Sequence, residues 1–392
     1  MYEKIFLKKE KLQYSPHPWF FSGALNKSYD NLGIGAIVDL YYKEKFISRG
    51  YYNNKTNIAY RVLTYNQNEE INKEFFIRRF KSSQKLVEKV IDTSKTNAYR
   101  LIFGENSYLP GLIVDRYDDY FVIQLHTAGM ENLKHIIKDA LIELFNPKAI
   151  INKSDIQARK LEGLKPYEEV LYGKTSKSKI IKENNILFEI DFENSQKTGT
   201  FLDQRENRLA VNRYFKSGKL LNMFGYNGGF NLYLKNCKNC ESINLDISEK
   251  ALIQYKKNLE LNKMNETRHS FLKGDIFKMV ADDYQFDDKF DAIVLDPPAL
   301  AKNIKNKRRA VKQYINLNRF ALRNLKSGGL LFSASCTSVV KQEDYEFAIY
   351  QAALRENCKI SILEKRFNST DHPMNPFFPE GIYLKFYVIY KY

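Results

Sequence analysis

Cysteine is scarce in this sequence, with four in 392 residues, and so few in a chain this long do not make a disulfide framework. Cys237 and Cys240 form a lone C-x-x-C in a Lys/Asn-rich segment, with neither a second pair nor a His-x-x-x-His to complete a zinc site. No bound metal is expected. Cys358 precedes the strand-like run Ile360 to Leu363 and reads as a core thiol. No apolar run approaches the ~18 residues that would span a bilayer, and the charged stretch Met1 to Glu10 lacks the apolar centre of a signal peptide. A cytoplasmic chain with no membrane partner is the expectation. Residues 75–185 show neither an internal repeat nor a low-complexity tract.

Positive charge is abundant. The 62 Lys+Arg against 46 Asp+Glu leave a formal charge of +16, the electrostatic footprint of a polyanion partner such as RNA. A length of 392 residues with 44% hydrophobic content allows two or three domains, each with its own core.

The chain is organised around Leu220 to Phe230, where an apolar run meets Gly225, Gly228 and Gly229 and then a helical pattern. This reads as the first strand, tight loop and helix of an open α/β sheet. The spacing is G-x-x-G-G rather than G-x-G-x-x-G, and no P-loop lysine follows, so a nucleoside ligand without phosphates, such as S-adenosylmethionine, fits better than a dinucleotide or triphosphate. Ser242 to Asp246 is the second strand, and its terminal acid lies near the ~20-residue offset at which a carboxylate meets ribose hydroxyls. Asp275, after Phe271 to Gly274, suits an adenine amino group.

Upstream, residues 1–74 read as a small β-rich unit with strands at Ala36 to Tyr42, Phe46 to Tyr51 and Ile58 to Thr64. Its tyrosines interleave with Lys43, Lys45, Arg49, Lys55 and Arg61, the mixture that an RNA-binding surface uses. The only tryptophan, Trp19, reads as a core plug. Residues 75–185 form a second α/β piece: a helix from Glu74 to Ile91, a hairpin of Leu112 to Tyr117 with Tyr120 to His126, and a helix from Met130 to Phe145. Lys174 to Lys179 is expected to be a surface loop.

From residue 186 the pattern is α/β to the end. Phe290 to Leu295 runs into Asp296-Pro297-Pro298, and Gly329 to Ser335 runs into Cys336. Ligands of parallel sheets bind at the carboxyl ends of strands, which places Asp296 and Cys336 on one edge. The basic run Lys302, Lys305, Lys307, Arg308, Arg309 and Lys312 follows the prolines and could clamp phosphates. The long connection Asn368 to Ile382 is expected to be a lid or binding element.

Taken together, His17 to Gly23, Leu109 to Tyr117, Gln196 to Gly199, Phe201 to Arg208, Asp296 to Pro298, Ser335-Cys336, Asp371 to Pro373 and Phe378 to Gly381 resemble the PUA-domain-containing bacterial methyltransferases that make 5-methylcytosine in large-subunit ribosomal RNA. The resemblance runs nearly end to end. It implies a PUA domain over 1–74, a central α/β domain over 75–185 and a Rossmann-like class I methyltransferase domain over 186–392. S-adenosylmethionine would be held by Asn222, Phe224, Gly225, Tyr226, Asn227 and Gly228, by Asp246 with Ser248, by Asp275 with Ile276, and by Asp296. Thr198, Phe201, Gln204 and Arg205 would close over it. Cys336 would be the nucleophile with Asp296 beside it, and Pro297, Lys302, Lys307, Arg308, Arg309 and His372 would meet the RNA. A homodimer is an assembly to test. The sequence departs from the family pattern at Asn227, where threonine is more usual, and at Thr337-Ser338. Two rivals stand beside this reading: methylation of another base, such as a guanine nitrogen, with Cys336 idle, and a non-catalytic RNA-binding scaffold.

Overall fold

In the computed structural model residues 2–193 and 197–392 are described; Met1, and Gln196 of the Gln196 to Gly199 motif, lie outside the described residues. The chain divides into two compact units. One comprises Met1–Asn184, Ile190–Leu202 and Thr370–Gly381, and the other Asn185–Glu189, Asp203–Ser369 and Ile382–Tyr392.

The first unit holds two sheets. Glu3–Phe6 (β1), Trp19–Phe20 (β2), Ala36–Tyr42 (β3), Lys45–Tyr52 (β4) and Tyr60–Thr64 (β5) pair in the order β1-β3-β4-β5-β2, with β1 parallel to β3 and the rest antiparallel. Alternation along these strands turns Ile5, Val38, Leu40 and Val62 into one core. It also turns inward much of the mixture expected to face RNA. Tyr51, Tyr52, Arg49 and Arg61 are buried, because each guanidinium has an internal carboxylate: Arg49 Nε lies 2.6 Å from Asp39 and Arg61 Nη2 lies 2.7 Å from Glu162. Only Lys43, Lys45 and Lys55 of that set are exposed.

Lys73–Val90 (α1), Ala98–Phe103 (β6), Leu112–Tyr117 (β7), Tyr120–Leu125 (β8), Ala128–Asn132 (α2), Lys134–Phe145 (α3), Ala149–Ser154 (β9) and Tyr167–Gly173 (β10) follow. Their sheet has the order β10-β9-β8-β7-β6. Phe75, Phe76 and Phe80 of α1 share a buried cluster with Ile137 and Leu141 of α3 and with Val114 and Ile123 of the sheet. The hairpin β7–β8 turns at Asp118-Asp119 with Asp118 in the left-handed region (φ 62°), a conformation that short polar side chains tolerate. The single helix expected from Met130 is instead two, because the backbone leaves helical geometry at Leu133 (ψ 4°) after Thr127 has capped the first. Strand β9 escapes a hydrophobicity reading because Asn152 and Lys153 are buried in it, the latter donating to the carbonyl of Phe192 at 2.9 Å. Trp19 is tied by Nε1 to Glu105 at 2.8 Å and packs edge-on against Phe378 at 4.8 Å. The stretch expected to be a lid is thus stitched into this unit: Asp371 accepts from the amide of Arg100 at 2.8 Å, and the amide of Asn375 donates to Asn106 at 3.0 Å. Ser178–Glu183 (β11) and Ile186–Asp191 (β12) form a two-stranded ribbon, so the loop expected over Lys174 to Lys179 is irregular from Lys174 to Lys177 and enters β11 at Ser178.

The second unit contains Arg205–Tyr214 (α4), Gly218–Met223 (β13), Gly229–Leu232 (α5), Cys240–Asp246 (β14), Glu249–Leu261 (α6), His269–Lys273 (β15), Ile276–Ala281 (α7), Phe290–Leu295 (β16), Lys307–Asn324 (α8), Leu325–Ser335 (β17), Gln342–Arg355 (α9), Ile360–Arg366 (β18) and Lys385–Lys391 (β19). The sheet order is β15-β14-β13-β16-β17-β19-β18; the first five strands are parallel and β19 is antiparallel to both neighbours. Helices cover the sheet, so β16 is apolar apart from Asp291, while β13 carries Leu220, Leu221 and Met223 with Asn222 buried among them. Helix α5 is a single turn, since Phe230, Leu232, Tyr233 and Leu234 are all buried in a row rather than along one helical face. Cys237 and Cys240 are bonded to each other. No helix among the described residues is long and apolar enough to cross a membrane.

Candidate active site

The chain steps from β13 outward to β14 and β15 and then returns to β16 on the other side of β13, and this reversal opens a crevice at the carboxyl edge. The loop Phe224 to Gly228 lines it. Gly225 is required less for backbone freedom than for space: a Cβ there would sit 1.9 Å from Asn244 Oδ1. Gly228 combines a φ of 78° with a hypothetical Cβ 1.9 Å from the ring of Tyr255. Phe224 and Tyr226 themselves adopt left-handed backbone, at φ 59° and 47°.

What holds this loop is a set of buried asparagines. Asn244 Nδ2 donates to the carbonyl of Tyr226 at 3.0 Å, and Asn258 Nδ2 to that of Asn227 at 3.3 Å. Asn222 donates to Asn231 at 2.6 Å and to Asn244 at 3.0 Å. Its side chain is fully buried. The Asn222 side chain therefore braces the loop from beneath.

Two acids stand at neighbouring exits. Asp246 is half-buried; Oδ2 accepts from the amide of Tyr226 at 2.9 Å and Oδ1 from that of Ser248 at 2.8 Å, which also starts α6. Asp275 is exposed and caps α7, accepting from the amides of Phe277 at 3.0 Å and Lys278 at 3.3 Å, while Ile276 is buried behind it. The rings of Phe224 and Phe277 approach to 5.2 Å and give this end of the crevice an aromatic wall.

On the other side, Leu295, the last residue of β16, is level with Ser333 of β17, which runs on to Ser335. Cys336, half-buried, has its sulfur 3.7 Å from the carbonyl of Pro297. Asp296 Oδ2 accepts from Gln204 Nε2 at 2.9 Å, and Gln204 Oε1 is held by Asn207 Nδ2 at 2.7 Å. Thr337 joins the two turns: its hydroxyl accepts from the amide of Leu300 at 3.0 Å and is 2.7 Å from the hydroxyl of Tyr314. Burial holds the Tyr314 phenol neutral by raising its pKa. The departure from family pattern at Thr337 thus supplies a tie between the Asp-Pro-Pro turn and the cysteine turn.

A model for S-adenosylmethionine-dependent methyltransferases matches residues 162–376, and one for PUA-like domains matches residues 5–65. This chain belongs to the S-adenosylmethionine-dependent methyltransferase family. It is 37% identical over 390 residues to the Ribosomal RNA large subunit methyltransferase I of Tolumonas auensis, covering 98% of both chains, and 37% identical over 387 residues to the protein of the same name from Vibrio parahaemolyticus, covering 97% of both. The crystal structure of SMU.776 complexed with SAH shares the fold, with a TM-score of 0.83 at 20% identity over 100% of this chain and 99% of that one.

A methyltransferase of this family uses S-adenosylmethionine, and the residues of the crevice fit that molecule. The carboxylate of Asp246 suits vicinal hydroxyls, the exposed carboxylate of Asp275 suits an amino group, and the Phe224–Phe277 wall suits a purine face. The carbonyls of Tyr226 and Asn227 are occupied by Asn244 and Asn258.

Other expected site residues are placed differently. Thr198, in the first unit, is buried with its hydroxyl 2.5 Å from Asp115 and 3.0 Å from the hydroxyl of Tyr117. Phe201 lies under the ammonium of Lys197 at 4.4 Å. Arg205 is buried and held by Glu206 at 3.1 Å. His372 does not offer itself to a polyanion: it is buried, 3.0 Å from Asp371 and edge-on to Phe103 at 5.1 Å. Lys302, Arg308 and Arg309 are exposed at the start of α8, whereas Lys307 is paired with Asp344 at 2.7 Å. Sequence reading missed the bracing asparagines Asn231, Asn244 and Asn258. The available signal was their recurrence inside otherwise apolar elements, where an amide needs an internal partner.

Proposed function

We propose that this methyltransferase forms 5-methylcytosine in large-subunit ribosomal RNA, in the cytoplasm, with Cys336 as a covalent nucleophile. Support for the RNA substrate comes from relatives named for it, from the PUA-like match and from the charge of +16. Support for the covalent route comes from one observation above all: a half-buried thiol within 3.7 Å of the carbonyl that follows Asp296, on the cofactor-bearing edge.

Carbon 5 of cytosine is a poor nucleophile. Addition of the Cys336 thiolate to carbon 6 forms a C–S bond and makes carbon 5 enamine-like. Asp296, oriented by Gln204, hydrogen-bonds the base at N3 and N4 and stabilises the charge that develops. S-adenosylmethionine supplies the electrophilic methyl group for carbon 5. Loss of the C5 proton to a base then lets the C–S electron pair return to sulfur, which frees the enzyme. Pro297 keeps the acid at the strand exit because its ring cannot continue the ladder.

The exposed cations Lys302, Arg308 and Arg309 gather around the N-terminal end of α8. Positive side chains there oppose the helix dipole, so their placement favours phosphate binding over helix stability.

The decisive experiment incubates unmodified large-subunit RNA with enzyme and S-adenosylmethionine and analyses the digested nucleosides by mass spectrometry. 5-Methylcytidine is expected, and Cys336→Ala should lower its formation by about a thousandfold or more while calorimetric affinity for S-adenosylmethionine is retained. An N-methylated guanosine, or full activity in that variant, would rule out the covalent route. Sedimentation of the purified protein reads out the homodimer.

A further inference from the structure

We propose that the buried ammonium of Lys385 is a positioning residue for Cys336, holding the turn that carries the thiol and favouring its thiolate; this rests on the covalent reading above.

Lys385 opens β19 and pairs in register with Ser335, the residue before Cys336. It is only 4% exposed. Its Nζ donates to the carbonyls of Thr337 at 2.9 Å and Val340 at 2.7 Å, and so closes the turn immediately after the cysteine. Two neutral carbonyls do not neutralise a cation, and burying a charge without an opposite one is costly. Among the described residues no carboxylate lies within ion-pair distance of it. Asp344 at the start of α9 is engaged by Lys307 at 2.7 Å and by the amide of Lys341 at 2.8 Å. The turn that these bonds close follows directly on Cys336, whose thiol is an acidic group.

The titration of Lys385 follows this arrangement. It is lowered to about 8, chiefly by burial and also by Lys341, against the opposing pull of the Cys336 thiolate and Asp344. An attraction that stabilises the ammonium stabilises the thiolate equally, and thiolates beside lysines form below the ordinary pKa of ~8.5. Lys391, at the far end of the same strand, offers an internal control: it donates to the carbonyls of Leu322 and Leu325 at 2.7 Å each, and the cysteine that interacts with it is Cys358, not Cys336.

The test is the pH profile of Cys336 alkylation by iodoacetamide in the full chain without RNA, read on the Cys336 peptide by mass spectrometry so that Cys358 does not contribute. The wild-type midpoint should lie below ~8.5. Lys385→Met should move it upward and slow alkylation at pH 7 about tenfold, whereas Lys391→Met should leave it in place. An unchanged profile in folded Lys385→Met overturns the proposal. If that variant does not fold, the wild type decides, because a midpoint at or above the ordinary thiol value overturns it alone. The readout needs no methyl transfer: an active Cys336→Ala enzyme would sink the covalent reading, while the alkylation profile would still judge the influence of Lys385 on the thiol.

Discussion

The exits of β13 and β14 are held by side-chain amides, whereas at the exits of β16 and β17 the amide of Gln204 on Asp296 is joined by one threonine hydroxyl, one tyrosine and one lysine. The difference follows from what each must present. A loop that carries a cofactor offers fixed backbone and two carboxylates, and uncharged amides brace it without competing for their charge. A turn that carries a thiol gains from a cation nearby, because the reactive form is the anion. One sheet edge thus has a neutral scaffold on one side and a charged one on the other.

Breaking the neutral side should have the largest effect. Gly228→Val adds strain at positive φ and drives a methyl group into Tyr255, for an expected loss of about 3–5 kcal/mol; thermal melting should show it, together with loss of S-adenosylmethionine binding. On the charged side, Thr337→Val keeps the volume but leaves the amide of Leu300 unpaired. It should cost about 1–3 kcal/mol and slow methylation while cofactor affinity holds, the reverse order of sensitivity. Asp246→Asn should weaken S-adenosylmethionine binding about tenfold in calorimetry, with little change in melting. Smallest is the double change Arg308→Gln with Arg309→Gln, which should reduce the slope of log affinity against log salt by about 1.4 for single-stranded RNA. Equal losses of cofactor binding in the Gly228 and Thr337 variants would erase the contrast.

Much of the fold was legible because buried strands of a parallel sheet are apolar throughout and end at glycine, acid or proline. Thus Leu220 to Met223, Phe290 to Leu295 and Gly329 to Ser335 mark their own boundaries. Strands β9 and β10 were not legible, since Asn152, Lys153 and Glu169 interrupt the apolar pattern and are satisfied only by tertiary partners. The same reason explains the reversal at Arg49 and Arg61: a basic residue between tyrosines looks like an RNA surface until Asp39 and Glu162 are brought against it.

The sequence by itself determined the order of the parallel strands' motifs, the glycine loop, the acids at the strand exits and the presence of a cysteine after an apolar run, since each depends on residue type and short spacing. Only the tertiary structure decided that His372 is enclosed, that the Asn222 side chain is tied to Asn231 and Asn244, and that Lys385 closes the turn after Cys336. Those outcomes turn on which side chains from distant segments meet, and pairing energies between residues far apart in the chain leave no local periodicity to read.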